Sequence, residues 1–113
     1  MKIYKFGGAS VKDAEGVRNL FNILSQDSDL DLIIVISAMG KTTNALENIA
    51  HDHYFNLQPS LTDVKKFHLN IVDELFQLKD PIYDEINNLF VEIEWILEES
   101  PSDNYDYNYD QIV

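Results

Sequence analysis

A strand–helix–strand pattern in the first third of the sequence constrains the fold most. Residues 2–6 (KIYKF) are typical of a short strand, and residues 32–36 (LIIVI) form a continuous apolar run that is almost entirely β-branched. Such a run is typical of a strand covered on both faces. Asp13 can cap a helix that runs to about residue 26. Its predicted buried stripe, spaced i, i+3, i+4, i+7, consists of Val17, Leu20, Phe21 and Leu24. The pattern predicts a βαβ unit with parallel strands and a polar turn at residues 26–31.

Each predicted strand leads into a turn that contains glycine. The first strand is followed by Gly7 and Gly8 and, two positions later, by Ser10, and the second is followed by residues 37–44 (SAMGKTTN). Glycine lets the backbone approach an anion, and Lys5 adds a positive charge just before the pair. Parallel strands end at the same edge of a sheet, where open α/β sheets bind ligands. The two turns are therefore expected to face one site.

The second half of the sequence is helical in character. Residues 61–99 contain two amphipathic stretches separated by a break before Pro81, a pattern that predicts a helical hairpin. Residues 100–113 are rich in Asn, Asp and Tyr, which favours a loop. The sequence shows no third strand, so the expected sheet has two strands.

Composition excludes several classes of function. The 113 residues carry a formal charge of −12, which opposes binding to the phosphate backbone of nucleic acid. There is no cysteine to form a disulfide or a thiolate metal site. No run approaches the length of a membrane span, and no signal peptide is evident. We therefore expect a cytoplasmic protein without a nucleic-acid or membrane partner.

Several local patterns favour structural over catalytic roles. Gly40 and the two residues after it imitate the end of a P-loop, but Val35 stands where that motif requires its first glycine, so a P-loop is rejected. Trp95 is expected in the core, or on a surface that missing parts of the protein cover. Three histidines are expected to be solvent-exposed rather than metal ligands: His51, His53 and His68.

Two motifs resemble those of aspartokinases. Residues 5–11 (KFGGASV) resemble the family's K-F-G-G-[TS]-S-V opening, and residues 35–44 (VISAMGKTTN) resemble its second conserved turn. The resemblance implies an α/β fold, a partial αβα sandwich of the amino-acid kinase type with a helical hairpin in the second half. Residues 1–113 would form the N-terminal part of that kinase domain. Its predicted parts are a βαβα nucleotide and substrate corner (1–53), the hairpin (61–99) and an acidic, Tyr-rich loop (100–113).

The resemblance also implies an activity and its residues. Aspartokinases phosphorylate the β-carboxylate of L-aspartate with ATP, the entry step to lysine, threonine and methionine synthesis. Lys5 would be the catalytic lysine, which stabilises the transferring phosphoryl group. The implied ATP-contacting residues are Lys5, Phe6, Gly7, Gly8 and Ser10, and the implied aspartate-contacting residues are Ser37 and Thr43. Mg²⁺ is expected with ATP, without ligands from this chain, and the full-length protein is expected to form a homo-oligomer.

Two departures from the family pattern shape the expectation. Ala9 stands where the family usually has threonine. The chain also ends before the S-x-G-E segment in which the family's aspartate-binding glutamate lies, so we expect an N-terminal fragment with little or no kinase activity of its own. Two alternatives stay open at this point. One is another amino-acid kinase acting on a different substrate, and the other is a non-catalytic helical interaction module.

Overall fold

The computed structural model describes residues 1–29 and 31–113. Leu30, part of the predicted polar turn, lies outside the described residues. The chain divides into two compact units, Met1–Thr42 and Thr43–Val113. In the part that the structure describes, every helix is too short or too polar to cross a membrane.

The first unit contains the predicted βαβ arrangement. Strand β1 (Lys2–Phe6) leads through a short 3-10 helix (Gly8–Val11) into helix α1 (Ala14–Ser25), which is followed by strand β2 (Leu32–Ile36). The two strands pair in parallel, with Lys2 opposite Leu32 at one end and Phe6 opposite Ile36 at the other. This confirms both predicted strands and their direction, and it brings the glycine turns to one edge of the sheet.

The start of α1 follows from two residues. The side chain of Asp13 accepts a hydrogen bond from the Gly16 amide at 2.8 Å, which satisfies one of the free N–H groups of the first turn. A Cβ at Gly16 would collide with the carbonyl oxygen of Ser10. Glycine at this position therefore lets the 3-10 helix pack closely on the first turn of α1, and the predicted cap is confirmed.

Two burial predictions in the first unit are wrong. From Ile33 to Ile36 the residues of β2 are 42–53% exposed, and Phe21 is 68% exposed. The strand was predicted to be covered on both faces. The described residues form only a two-stranded sheet, in which no further strand flanks β2. The β-branched composition identified the strand correctly but not its surroundings.

The second unit is a group of helices around a side-chain core. Helices α2 (Thr42–Tyr54), α3 (Thr62–Leu75) and α4 (Ile82–Glu98) include the two helices of the predicted hairpin. Pro81, at the predicted break, is the N-cap of α4. The buried core consists of Ile49, Ala50, Leu61, Val64, Phe90 and Ile112.

Residues 105–112 form a helix, α5 (Tyr105–Ile112), where a loop was predicted. The Asn/Asp content that suggested a loop serves the helix instead. Asn104 caps it by accepting a bond from the Tyr107 amide, and the buried Asn108 accepts from the Ser102 amide and donates to its carbonyl. One helical stripe with i, i+3, i+4, i+7 spacing runs through Tyr105, Asn108, Tyr109 and Ile112.

One histidine in the helices differs from expectation in burial, and Trp95 lies outside the first of its two predicted surroundings. His53 is buried, with 4% exposure, although all three histidines were expected to be exposed. It lies in the last turn of α2, a helix whose buried residues Ile49 and Ala50 belong to the core. Trp95 is 62% exposed on α4, so it is not a core residue of the described chain.

Candidate functional site: two joined glycine loops

The loops after β1 and β2 are joined backbone to backbone. The Ser37 amide donates to the Phe6 carbonyl at 2.9 Å, and the Gly40 amide donates to the Gly8 carbonyl at 3.0 Å. The first bond continues the strand pairing by one residue, and the second links the tips of the two loops. The predicted proximity of the two turns is therefore confirmed.

Two structural reasons explain the glycines at positions 8 and 40: a close contact at Gly8 and the backbone conformation of Gly40. A Cβ at Gly8 would lie 2.6 Å from the Gly40 carbonyl oxygen and 3.1 Å from that of Ala38. Gly40 has a φ of 59°, in the left-handed region that favours glycine. Both residues are needed for the loops to approach each other, whether or not a ligand is bound.

Gly7 stands in contrast to Gly8. A Cβ there would meet no atom within 4 Å, and its φ of −77° and ψ of 170° suit any residue. Gly7 is exposed, so open space borders its backbone. Within this motif Gly7, not Gly8, has room for a ligand to approach the main chain.

The other predicted ATP-contacting residues offer different groups. Lys5 is exposed on β1, and the alternation of strand side chains sets it on the face opposite Tyr4 and Phe6. Phe6 is buried and its ring stacks on that of Tyr4 with a centroid separation of 6.1 Å, while its carbonyl accepts the Ser37 amide, so this residue shapes the loop rather than offering a free group. The Ser10 amide is already used by the Gly7 carbonyl at 3.0 Å, which leaves its exposed hydroxyl.

Ser10 also borders a polar groove of about 610 Å³ that the sequence did not suggest. Lys12 and Arg18 line the same groove, so two cations lie along it near the predicted phosphate-binding loop. The sequence offered a signal for these two cations, because Lys12 directly precedes Asp13, the cap of α1, and Arg18 lies within α1. A larger groove of about 760 Å³ lies between α3 and α4 and contains none of the predicted site residues.

Of the two neighbouring threonines, the structure leaves only one hydroxyl free for a ligand. Thr42 is buried and its hydroxyl donates to the Met39 carbonyl at 2.6 Å. Thr43 is exposed in the first turn of α2, where main-chain N–H groups lack partners within the helix. Ser37 is exposed at the end of β2. The residues expected to contact aspartate, Ser37 and Thr43, are thus both accessible.

A cluster at the opposite end of the sheet supports this unit and was missed in the sequence. The Tyr4 hydroxyl donates a hydrogen bond to the Asp27 carboxylate, and the ammonium group of Lys2 lies 3.3 Å from the same carboxylate. The hydrogen bond from Tyr4, together with one from the Asp29 amide, lowers the pKa of the Asp27 carboxyl from its ordinary value. The same bond raises the pKa of the Tyr4 hydroxyl. The i, i+2 spacing of Lys2 and Tyr4 on one face of β1 was the available signal.

A parallel βαβ unit whose two loops meet at the carboxyl ends of the strands defines an α/β protein, a class in which ligands bind at this edge of the sheet. The sequence profile of the amino acid kinase family matches residues 1–93. The chain belongs to that family. This confirms the predicted fold class.

Its relatives include several aspartokinases, as the two motifs predicted. Aspartokinase 2, chloroplastic, of Arabidopsis thaliana is 37% identical over 79 residues, which are 65% of this chain and 14% of that protein. The aspartokinase of Geobacillus stearothermophilus is 40% identical over 50 residues, which are 42% of this chain and 12% of that protein. The aligned segments thus cover about an eighth of the length of these relatives.

Solved structures share the fold. E. coli aspartokinase III, in complex with aspartate and ADP (R-state), superposes with a TM-score of 0.74 at 22% identity. The aspartate kinase of Clostridium acetobutylicum gives a TM-score of 0.66 at 24% identity. Each match covers 99% of this chain and 26% of the other. The likeness extends over the helices of the second unit as well as the βαβ unit.

Proposed function

We propose that this chain supplies part of the site of an aspartate kinase, which transfers the γ-phosphoryl group of ATP to the β-carboxylate of L-aspartate. The observation that carries the proposal is the pair of joined loops. Gly8 and Gly40 contact each other through their main chains, while the space beside Gly7 is free of protein atoms. The aspartokinase relatives support the choice of aspartate over other acids. A structural neighbour solved with aspartate and ADP supports the choice of ATP.

The residues of this chain fit the phosphates of ATP. The space beside Gly7 lets an anion reach the main chain, and the exposed ammonium of Lys5 lies two residues earlier. Phosphoryl transfer depends mainly on positioning and on neutralising charge. Lys5 would neutralise charge that develops on the transferring group, while Gly7, Gly8 and Ser10 border the phosphates. Mg²⁺ would accompany ATP, and we assign it no ligand in this chain.

Ser37 and Thr43 are proposed to bind L-aspartate. A hydroxyl can donate to a carboxylate, and the free N–H groups at the start of α2 favour negative charge near Thr43. Thr42 is excluded from this role because Met39 already accepts its hydroxyl. Beyond this site, we propose a cytoplasmic protein in lysine, threonine and methionine synthesis that works as a homo-oligomer.

Nucleotide binding tests the phosphate part of the proposal. Titration calorimetry of the 113-residue chain with ATP–Mg is expected to detect binding that Lys5→Met weakens by about tenfold, the scale of a charge-assisted hydrogen bond. Lys79→Met, which removes an exposed lysine in the second unit, should leave the affinity unchanged. Equal affinity of the Lys5 variant and the wild type would remove Lys5 from the proposal.

Gly7→Ala gives a second, independent test. The added methyl group meets no protein atom, so the fold is expected to survive while the space for the phosphate is reduced. Loss of ATP–Mg binding with an unchanged melting temperature would support the assignment. Unchanged binding would show that the ligand does not use this space.

The isolated chain is proposed to have little or no kinase activity, because it covers only 26% of the solved aspartokinase chains that it matches. A coupled assay for ADP formation with L-aspartate measures this. Turnover that Lys5→Met abolishes would contradict the expected inactivity, while it would support the assigned chemistry. Binding of a helical partner without any nucleotide binding would favour the alternative, an interaction module.

A further inference from the structure

Helix α5 is held against α2 by contacts at both ends. Near the end of α2, the rings of Tyr54 and Tyr105 pack edge to face with a centroid separation of 5.2 Å. The Tyr54 hydroxyl also donates a hydrogen bond to the Asp103 carbonyl at 3.3 Å. Toward the start of α2, Tyr109 donates to the Glu47 carboxylate at 2.8 Å. The order of these contacts shows that the two helices run antiparallel. The later half of α5 therefore lies beside the earlier half of α2.

Glu47 is one helical turn after Thr43. Residues four apart lie on the same face of a helix, so the side chains of Glu47 and Thr43 leave α2 on the same face. Glu47 is half-buried, whereas Thr43 is exposed. Tyr109 thus donates a hydrogen bond to Glu47, the carboxylate one helical turn after Thr43, and Thr43 is a proposed substrate contact. The same bond raises the pKa of the Tyr109 hydroxyl.

The rest of α5 is fixed well enough for Tyr109 to act as an anchor. Ile112 is buried in the same core as Ile49 and Ala50 of α2, and Asn108 is 5% exposed with two hydrogen bonds to Ser102. Asn108 directly precedes Tyr109, and Ile112 lies one helical turn after Asn108. The position of the Tyr109 hydroxyl therefore follows from packing and not only from its bond to Glu47.

We propose that Tyr109 and Glu47 are a positioning pair for substrate binding at the start of α2. Their hydrogen bond restrains the first turn of α2, and it holds the Glu47 carboxylate toward α5, so that its negative charge does not turn toward an anionic substrate at Thr43. The inference rests on the proposed function to the extent that Thr43 contacts L-aspartate. Neither residue touches the substrate in this scheme.

The test compares Tyr109→Phe with Tyr107→Phe in the 113-residue chain. Both variants remove one phenolic hydroxyl from α5, but Tyr107 is 57% exposed and serves as the matched control. Calorimetry with L-aspartate, and separately with ADP–Mg, is expected to show an aspartate affinity about three- to tenfold weaker in Tyr109→Phe only, the scale of one net hydrogen bond. The ADP–Mg affinity should not change, because a general loss of structure would reduce both.

Glu47 variants separate the hydrogen bond from the charge. Glu47→Gln keeps an oxygen that accepts from Tyr109 and removes the negative charge, so its aspartate affinity should equal or exceed that of the wild type. In the Tyr109→Phe background, Glu47→Gln should restore much of the lost affinity, because no free carboxylate remains to repel the substrate. A double variant as weak as Tyr109→Phe alone would overturn the charge part of the proposal.

Hydrogen exchange gives a readout that needs no ligand. The Leu46 and Glu47 amides bond to the Thr42 and Thr43 carbonyls in an α-helix, so their exchange reports on the first turn of α2. Tyr109→Phe should raise the exchange rate of these two amides about three- to tenfold, and Tyr107→Phe should leave it unchanged. Unchanged exchange in Tyr109→Phe would overturn the positioning role even if aspartate binds. A wild type that does not bind aspartate, with exchange raised as expected, would instead count against the proposed function alone.

Discussion

The two units of the chain are built in different ways. In Thr43–Val113, helices enclose side chains such as Phe90 and Val64, which are 7% and 8% exposed. In Met1–Thr42, the apolar strand β2 is half-exposed, few side chains such as Val11 are buried, and the main chains of two loops pack closely against each other. The comparison teaches that the candidate nucleotide loops depend on glycines and main-chain hydrogen bonds, while the helical unit depends on buried apolar volume.

The largest effect is expected from the helical core. Phe90→Ala should lower the free energy of unfolding by about 3–5 kcal/mol, because it removes a buried aromatic ring and leaves a cavity. Leu89→Ala is the matched control, since Leu89 is 61% exposed one position earlier on the same helix, and it should cost less than about 1 kcal/mol. Urea denaturation followed by circular dichroism measures both. Equal costs would mean that α4 packs with a different face inward.

The next effect concerns the loops of the first unit. Gly8→Ala places a methyl group 2.6 Å from the Gly40 carbonyl oxygen, so the loops must separate, at an expected cost of about 1–3 kcal/mol. Gly7→Ala should cost less than about 0.5 kcal/mol because its methyl group meets nothing. Hydrogen exchange in peptides from Met1–Thr42 reports the difference. If the two substitutions had the same cost, the distinction between a packed and an open glycine would fail.

A helix cap supplies the third effect. Asp13→Ala removes the acceptor of the Gly16 amide and should cost about 1 kcal/mol. Asp13→Asn retains a side-chain oxygen at the cap and should recover most of that stability. Thermal denaturation of the two variants provides the measurement. A cost in Asp13→Asn as large as in Asp13→Ala would assign the effect to charge near the start of α1 rather than to the hydrogen bond.

Local patterns predicted the first unit well because its elements are specified by neighbouring residues. The strands followed from two apolar runs, the α1 cap from Asp13, and the meeting of the loops from the parallel direction of the strands. The roles of Gly7 and Gly8 could not be separated in the sequence. They depend on whether the Gly40 carbonyl lies within reach of a Cβ, which is a tertiary fact.

The burial errors share one cause, which is that burial depends on partners elsewhere in the chain. The exposure of Phe21 and β2 could not be read from residues whose local pattern is that of buried elements. In α5, Asn104 and Asn108 resembled loop residues until their partners at Tyr107 and Ser102 were known. Likewise, no spacing in the sequence links Glu47 to Tyr109, which lie 62 positions apart.

The smallest effect is one of pH, and it returns to the first unit. The pKa of the Asp27 carboxyl is lowered in the folded chain, chiefly by the hydrogen bond from Tyr4. The folded state therefore binds the proton less well than the unfolded state. The stabilisation is present above the unfolded pKa of 3.8 and is lost as the pH falls through the lower, folded value.

Many other carboxylates titrate in the same range, and protonating them relieves the repulsion of a chain with a net charge of −12. The contribution of Asp27 must therefore be taken as a difference between proteins. Urea midpoints at pH 5 and pH 3 should fall further in the wild type than in Asp27→Asn, in which position 27 no longer titrates. Parallel changes in the two proteins would show that the contact of Asp27 with Tyr4 and Lys2 does not stabilise the first unit, whose strands would then depend on their pairing and on the joined loops.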